Sequence, residues 1–209
     1  YNSNFMAADR YTPAVLSLPV SINKLISIPM IAYTTDNMPV EVRQLNENDL
    51  DNLVIYLNRL KPETVMRFGP HGFDKQSVSA IFQHTDQYKG YIVIDTEISE
   101  IVAYAVIKIG FLEHDRFRLQ SVGIMPDPVT DCTFAPSVAD DWQSQGLGNI
   151  MFGFIVNHLK TMAIKRIILW GGVQSSNQRA VNYYTRHGFR NLGQFEYNGL
   201  NYDMILDIP

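Results

Sequence analysis

The residues whose types and spacing could do chemistry lie in one short segment in the second half of the chain. Residues 143–149 read Gln-Ser-Gln-Gly-Leu-Gly-Asn and follow a largely apolar run. Apolar residues with helical spacing begin at Leu147, so the segment predicts a loop that enters a helix. The first turn of a helix has unpaired N–H groups and partial positive charge, and glycine lets a ligand approach the backbone closely. The segment therefore predicts an anion site that suits phosphate groups.

Two common glycine motifs do not fit this segment. The dinucleotide fingerprint needs a third glycine where Met151 stands, and a Walker loop needs a lysine that does not follow here. The pattern that fits is Gln/Arg-x-x-Gly-x-Gly/Ala, with Gln143, Gly146 and Gly148. Downstream, the spacing Asn-x-x-Ala-x-x-x-Tyr-x-x-x-Gly-Phe also occurs. It is formed by Asn177, Ala180, Tyr184, Gly188 and Phe189.

With these two motifs in this order, the sequence resembles the GNAT superfamily of N-acetyltransferases. The resemblance covers about residues 40–208 and is strongest over 132–189. It implies an α/β fold with a mixed, mostly antiparallel sheet and helices on both faces. It also implies transfer of an acetyl group from acetyl-CoA, or another acyl-CoA, to an amine by direct attack. That amine is a small molecule, a protein α-amine or a lysine.

The resemblance implies a set of cofactor contacts. The diphosphate would lie on the N–H groups of residues 143–149, and the pantetheine arm would lie between strands at 132–139 and 166–173. Backbone groups near Val138 would hold the thioester carbonyl. The predicted cofactor-binding residues are Val138, Gln143, Ser144, Gln145, Gly146, Leu147, Gly148, Asn149 and Asn177.

Tyr184 is the predicted general acid. A phenol has an ordinary pKa of about 10, so it is protonated at neutral pH and can give a proton to the leaving thiolate. The neighbouring Tyr183 points about 100° away on a helix, so we expect it to pack or to face solvent.

The residue that deprotonates the amine stays open. Residues 134–138 and Trp142 resemble a branch that contains bacterial protein-lysine acetyltransferases, and that branch often has a glutamate where this chain has Thr133. A lysine amine, near 10.4, needs more help than an α-amine near 8, so the missing glutamate favours an α-amine or a small amine. The candidate bases are water and Asp131, Glu113, Asp115 and Glu196.

Two other functions remain open. The missing glutamate is compatible with a non-catalytic acyl-CoA-binding module that senses or regulates. The segment 1–39 is compatible with an interaction domain, because an extended arm could exchange between subunits and form a homodimer. We predict that residues 1–39 are such an arm, packed on the domain or on a partner, and that residues 40–209 form the acyltransferase domain.

The elements that must position these residues follow from periodicity and turn signals. Strands are predicted at 40–45, 91–95, 101–109, 116–125, 132–139 and 166–173, and a closing hairpin around Asn198-Gly199. Helices are predicted over 50–60, after Pro62, after the cap Asp74, over 146–163, and from a Ser175 or Ser176 cap to His187. Two extended pieces, 14–20 and 25–33, are expected in the arm.

Composition excludes several classes of protein. The chain has 209 residues, 46% of them hydrophobic, and a formal net charge of −4, which fits one globular domain and disfavours nucleic acid as a partner. Its single cysteine, Cys132, excludes an internal disulfide and suits a reducing cytoplasm. The histidines show no metal spacing, so no metal is expected. Prolines and Lys24 interrupt the apolar stretch 14–33, so no membrane span is expected.

Overall fold

The computed structural model describes residues 28–209. Most of the predicted arm, including the extended piece at 14–20, therefore lies outside the described residues. The end of the arm is described and forms a strand, Met30–Tyr33, that pairs with the first predicted strand of the domain. The boundary at residue 39 stays a prediction.

The described part of the chain forms nine strands, six helices and three short 3₁₀ turns. The strands are β1 (Met30–Tyr33), β2 (Pro39–Gln44), β3 (Tyr88–Asp95), β4 (Glu100–Ile109), β5 (Asp131–Val138), β6 (Arg166–Leu169), β7 (Val173–Gln174), β8 (Arg190–Glu196) and β9 (Leu200–Asp207). The helices are α1 (Leu50–Arg59), α2 (Pro62–Val65), α3 (Lys75–Phe82), α4 (Arg116–Ser121), α5 (Leu147–Thr161) and α6 (Gln178–Arg186). The 3₁₀ turns are Glu47–Asp49, Glu113–Asp115 and Asp140–Trp142.

All described strands join one sheet in the order β1-β2-β3-β4-β5-β6-β9-β7, with β8 on β9. Among the described pairs, β5 and β6 are parallel and the rest are antiparallel. Helices α1 and α3 pack on one face around Ile92 and Tyr104, and α5 and α6 pack on the other around Phe134. The predicted α/β fold, with a mostly antiparallel sheet between helices, is confirmed.

The side chains of β5 alternate between these two faces, as the two-residue period of a strand requires. Cys132 and Phe134 enter the core under α5, whereas Ala135 packs with the cluster around α1 and Tyr104. Thr133 therefore shares the face of Ala135. Strand β5 is thus a buried partition whose two sides meet different helices.

A gap opens in the sheet where β5 and β6 part. The two strands pair from Asp131 to Phe134, and the last link is the Trp170 N–H donating to the Phe134 carbonyl over 2.9 Å. Beyond that point β5 continues to Val138, still paired with β4. After β6 the chain turns away from β5, and it returns as β7, which pairs with β9.

The prediction of one continuous strand over 166–173 is wrong. Gly171 and Gly172 have φ angles of 64° and 72°, and they interrupt the strand between β6 and β7. A Cβ on Gly172 would lie 2.6 Å from the Tyr202 carbonyl oxygen, so the backbone passes too close for another residue. The two glycines create the gap on the β6–β7 side.

Two further predictions are corrected. Residues 116–125 are not a strand but contain α4, because short-range pairs such as Arg118 with Asp115 (2.7 Å, three residues apart) support helical spacing. Helix α6 is capped by Asn177, not by Ser175 or Ser176. The Ser175 N–H donates to the Leu200 carbonyl over 2.9 Å, which keeps this residue beside β9.

The other elements agree with the sequence. The β3–β4 hairpin, the long helix α5 and the Asp74 cap of α3 are where the pattern predicts them. The closing β8–β9 hairpin is confirmed, and both Asn198 and Gly199 have positive φ. None of the helices between residues 28 and 209 is both long and apolar enough to cross a membrane.

Candidate functional site

The loop that connects β5 with α5 presents consecutive N–H groups that have no partner among residues 28–209. Within the described part of the chain, the N–H groups of residues 144–148 make no hydrogen bond. The loop bends at Ser144 (φ 67°) and Gly146 (φ 87°), and Gly146 is the N-cap of α5. A non-glycine residue with positive φ is uncommon and often marks a functional turn. Free donors at a helix start are the arrangement that the sequence predicts for an anion site, and the binding of an anion there stays a prediction.

The structure narrows the predicted range at both ends. The Gln143 N–H donates to the Asp140 carbonyl over 3.4 Å, and the Asn149 N–H donates to the Gly146 carbonyl over 3.0 Å. The backbone donors of Gln143 and Asn149 are therefore engaged. Gln143 closes the 3₁₀ turn at 140–142, and Asn149 closes the first turn of α5. The available donors are those of Ser144, Gln145, Gly146, Leu147 and Gly148.

Side chains support this loop from several directions. The Gln143 amide nitrogen donates to the Val138 carbonyl over 3.3 Å, while its oxygen accepts from Arg179. Leu147 is 1% exposed and anchors the loop in the core, so it offers its backbone alone. The Asn149 side-chain oxygen is 3.0 Å from a ring nitrogen of His187.

Arg179 is the residue of this site that the sequence reasoning missed. It lies in the first turn of α6, is exposed, and brings its guanidinium to the Gln143 side chain. Arg179 lies within the second motif, two residues after Asn177, and this position could have indicated its role. A cation beside the free N–H groups strengthens the attraction for an anion.

Gly148 allows α5 and α6 to approach each other. A Cβ there would lie 3.2 Å from the Tyr183 ring, and the Tyr183 hydroxyl donates to the Gly148 carbonyl over 2.8 Å. Burial raises the pKa of the Tyr183 phenol, so this donor stays protonated. Tyr183 packs between the helices, which is one of the two outcomes expected for it.

Val138 presents its backbone to the gap. The Ala139 N–H donates to the Val102 carbonyl over 2.9 Å, across the β4–β5 pair. In an antiparallel pair the hydrogen-bonded residues alternate, so the Val138 N–H points away from β4 and into the gap. Pro136 lies on this same edge, where the lack of an N–H breaks no bond to β4.

Tyr184 lies on α6, in the core that underlies the gap. It is 8% exposed, and its ring lies 5.2 Å from Phe189 and 5.3 Å from Tyr183. Burial raises the pKa of the Tyr184 phenol, which keeps it protonated. Its hydroxyl makes no hydrogen bond to any residue in the described range. The phenol therefore keeps its proton free of any bond to residues 28–209, as the predicted general acid requires.

Asn177 combines a structural contact with free donors. Its side-chain oxygen accepts from the Ala180 N–H over 3.3 Å and caps α6. Its side-chain nitrogen makes no hydrogen bond to a described residue. The capping role alone therefore leaves the amide nitrogen available.

The structure does not bring Asp131 to the gap. This residue begins β5, where its carboxylate accepts from the Asp127 N–H over 2.9 Å and lies 3.4 Å from Arg166. It is seven residues from Val138, which corresponds to about 23 Å along a strand. Burial raises the pKa of Asp131, but its position does not suit it to act on a substrate beside Val138.

The other carboxylate candidates are also engaged or exposed. Glu113 is exposed and pairs with Arg116 over 2.6 Å, and Glu196 is exposed at the end of β8. Thr133, at the position of the expected glutamate, is fully buried, and its hydroxyl donates to the Gly110 carbonyl over 3.0 Å. The structure therefore places no free carboxylate at that point of β5.

Asp115 belongs to a buried ion cluster with Arg118 and Asp203. The Arg118 guanidinium donates to Asp115 over 2.7 Å and to Asp203 over 3.0 Å, and its carbon lies 3.6 Å from the centroid of the Phe195 ring. Burial raises the pKa of Asp115, although Arg118 acts in the opposite direction. The cluster ties α4 to the closing hairpin, and it occupies Asp115 as an ion-pair partner.

Between residues 28 and 209, no three His, Cys, Asp or Glu side chains gather in a way that could hold a metal ion. Cys132 is fully buried, and burial raises the pKa of its thiol, so this thiol is not a nucleophile. The groups left for the predicted chemistry are the N–H groups at 144–148, the backbone of Val138 and the phenol of Tyr184.

Comparison with known proteins agrees with this geometry. A sequence model of the Acetyltransferase (GNAT) family matches residues 57–189, which is more than half of the chain. No curated protein sequence matches the chain.

Solved structures share the fold at low sequence identity. The GNAT domain of S. lividans PAT matches with a TM-score of 0.66 and 14% identity, over 91% of this chain and 99% of that chain. The ribosomal-protein-S18-alanine N-acetyltransferase from Escherichia coli matches with a TM-score of 0.57 and 16% identity, over 81% and 94%. The spermidine N-acetyltransferase from Vibrio cholerae, solved with CoA and spermine, matches with a TM-score of 0.58 and 17% identity, over 81% and 95%. From the family match and the shared fold, the chain belongs to the GNAT family of acetyltransferases, which are acyl-CoA-dependent enzymes.

Proposed function

We propose that this chain transfers an acetyl group from acetyl-CoA to an amine by direct attack. The observation that carries the proposal is the row of N–H groups at 144–148, which lies beside a gap in the sheet. A helix start with free donors suits a diphosphate, and an open strand edge suits an extended chain with amide groups. Arg179 adds positive charge at the diphosphate end.

The residues present fit the expected chemistry. Acetyl-CoA supplies an acetyl group that is activated as a thioester. The Val138 N–H would hold the carbonyl oxygen and stabilise the negative charge that develops on it. The amine nitrogen forms the new bond to the acetyl carbon, and the bond from that carbon to sulfur breaks. Tyr184 would give its proton to the sulfur, the amine would lose a proton to water, and the phenol would be restored from solvent.

The acceptor is proposed to be an α-amine or a small amine. Thr133 stands where a glutamate base is expected, and its hydroxyl is bound to Gly110. Without a carboxylate at this point, the acceptor must lose its proton with little help from the protein. An α-amine, near 8, does so more readily at neutral pH than a lysine amine near 10.4.

Turnover with a panel of amines tests this function. Acetyl-CoA would be mixed with glycinamide, which is a small α-amine, with a peptide that begins with alanine, and with a peptide whose free amine is a lysine, and thiol release would be followed. We expect faster release with one of the first two acceptors than with the lysine peptide. Tight CoA binding without turnover on a broad amine panel would instead favour a non-catalytic acyl-CoA-binding module. If CoA does not raise the melting temperature at all, both functions lose their basis.

We predict that the Asn177 amide contributes to cofactor binding in addition to capping α6. Asn177→Ala should lower the free energy of unfolding by about 1 kcal/mol, because the cap is lost. Asn177→Ser keeps a capping oxygen, so it should restore stability while CoA still binds about threefold more weakly, as expected for the loss of one hydrogen bond. Thermal melts and calorimetric titration with CoA measure the two effects. If Asn177→Ser binds CoA as tightly as the wild type, the residue is a cap alone.

A further inference from the structure

The turn between β1 and β2 touches the anion-binding loop directly. The Thr35 N–H donates to the Gln145 carbonyl over 3.0 Å. A Cβ on Gly146 would lie 3.4 Å from the Thr35 methyl group, so the two segments are in close contact. The turn comes from the segment that the sequence assigned to the arm.

The geometry of this turn leaves the Thr35 N–H free to make that contact. The Asn37 N–H donates to the Thr34 carbonyl over 3.0 Å, so Thr35 and Asp36 are the central residues of a β-turn. Neither central residue has positive φ, whereas Asn37 has φ 63°. This is the pattern of a type I turn followed by a left-handed residue, in which the turn does not use the N–H of its second residue.

The hairpin that carries the turn is anchored in the fold. Thr34 is 6% exposed, and its hydroxyl accepts from the Met38 N–H over 3.1 Å. Ala32 packs against the core cluster that contains Val40 and Leu147. These contacts hold the turn in place, so the loop at 144–148 packs against a fixed part of the fold.

The contact fixes the orientation of one peptide group in the loop. The carbonyl of Gln145 and the N–H of Gly146 belong to the same planar trans peptide, so they point in opposite directions. When the carbonyl is held by Thr35, the Gly146 N–H must point away from the hairpin. Glycine would otherwise allow this peptide to rotate, because its backbone is the least restricted.

We propose that Thr35 is a positioning residue for acyl-CoA, and that its backbone N–H orients the peptide between Gln145 and Gly146 toward the diphosphate. The inference rests on the proposed function, since it assumes that this loop binds the diphosphate. It assigns a role in cofactor binding to a segment outside both sequence motifs.

Thr35→Pro tests the proposal, because proline lacks the N–H yet suits the second position of a type I turn. We expect CoA to bind about three- to tenfold more weakly by calorimetry, the size expected for one lost hydrogen bond. Pantetheine, which lacks the diphosphate, should bind as it does to the wild type. Thr35→Ala keeps the N–H and is the matched control, with CoA affinity close to that of the wild type.

The outcomes separate this inference from the proposed function. If the wild type binds CoA and Thr35→Pro binds it equally well, or loses pantetheine to the same extent, the positioning role is wrong. If the wild type does not bind CoA, the proposed function fails instead. Should Thr35→Pro not fold, amide hydrogen exchange of the wild type decides. CoA should then slow exchange at the Thr35 N–H, and an unchanged rate would contradict the role.

Discussion

Tyr184→Phe is expected to lower kcat about 100-fold, at the lower end of what a positioned proton donor contributes. The phenol is buried beside Phe189, and its hydroxyl makes no hydrogen bond to a residue in the described range. The substitution therefore removes the proton source with little loss of packing. CoA affinity should stay within about twofold, because the effect belongs to the breaking of the carbon–sulfur bond rather than to binding. Thiol release under saturating acetyl-CoA measures it.

Tyr183→Phe is the matched control for this prediction. It removes a hydroxyl from the adjacent residue and breaks the 2.8 Å bond to the Gly148 carbonyl. The expected result is a free energy of unfolding lower by about 1 kcal/mol, with kcat nearly unchanged. An equal loss of kcat in both variants would mean that helix packing, rather than the Tyr184 proton, limits the reaction.

The pH dependence of the wild type gives a second view of Tyr184. Burial raises the pKa of this phenol above its ordinary value of about 10. A raised pKa keeps the acid protonated over a wider range, so kcat should not fall between about pH 8 and pH 10. A decline centred well below pH 10 would point to a different proton donor.

Gly146→Ala should weaken CoA binding about tenfold or more. Gly146 has φ 87°, and a residue with a Cβ loses about 1–2 kcal/mol in this left-handed conformation. An affinity changes tenfold for about 1.4 kcal/mol. A loop that must rearrange at a cost of this size should therefore bind CoA about tenfold more weakly. The new Cβ would also lie 3.4 Å from the Thr35 methyl group. Calorimetric titration with CoA measures the loss.

Gly153→Ala is the control on the same helix. Gly153 is helical and exposed, and a Cβ added there would meet no other side chain or distant backbone atom within 4 Å. Alanine at this position should raise the free energy of unfolding by up to about 1 kcal/mol and leave CoA affinity unchanged. If Gly146→Ala behaves like Gly153→Ala in both measurements, the left-handed cap does not shape the binding loop.

The loop with free N–H groups at 144–148 could be predicted from the sequence because its geometry depends on neighbours in the chain. Gly146 and Gly148 stand at the start of a strongly periodic helix, so the free N–H groups could be predicted from neighbours in the chain. Asn177 and Tyr184 could be placed for the same reason, through their spacing on one short helix. The fold class could be predicted because the two motifs occur in this order among segments with the periodicity of strands and helices.

The features that the sequence did not reveal depend on distant contacts or on backbone geometry. Thr35 meets Gln145 only because the β1–β2 hairpin folds back onto the loop, and no local pattern signals that contact. The partner of Arg118 on β9, Asp203, is equally remote in sequence. The strand predicted over 166–173 failed because two adjacent glycines can either continue a strand or break it. The strand breaks here, where the backbone of Gly172 passes close to the Tyr202 carbonyl oxygen.

The prediction for 116–125 failed for a related reason. Apolar and polar residues alternate in this segment, as in a strand. Ion pairs between residues three apart, such as Asp115 with Arg118, favour a helix instead. Leu119 is then buried against Ile168 and Ile205, on the face opposite to α5. Burial on a surface that lies far away in sequence therefore decides between the two local preferences.

The gap makes β5 an edge strand in the middle of a sheet. Such an edge is a template on which any extended polypeptide could pair, and proteins commonly block edges with proline. Pro136 lies on this edge and removes one of the donors that an incoming strand would need. The Val138 N–H remains two residues further on. The edge therefore disfavours pairing with a whole peptide strand. It still keeps one backbone donor for a ligand that needs fewer hydrogen bonds.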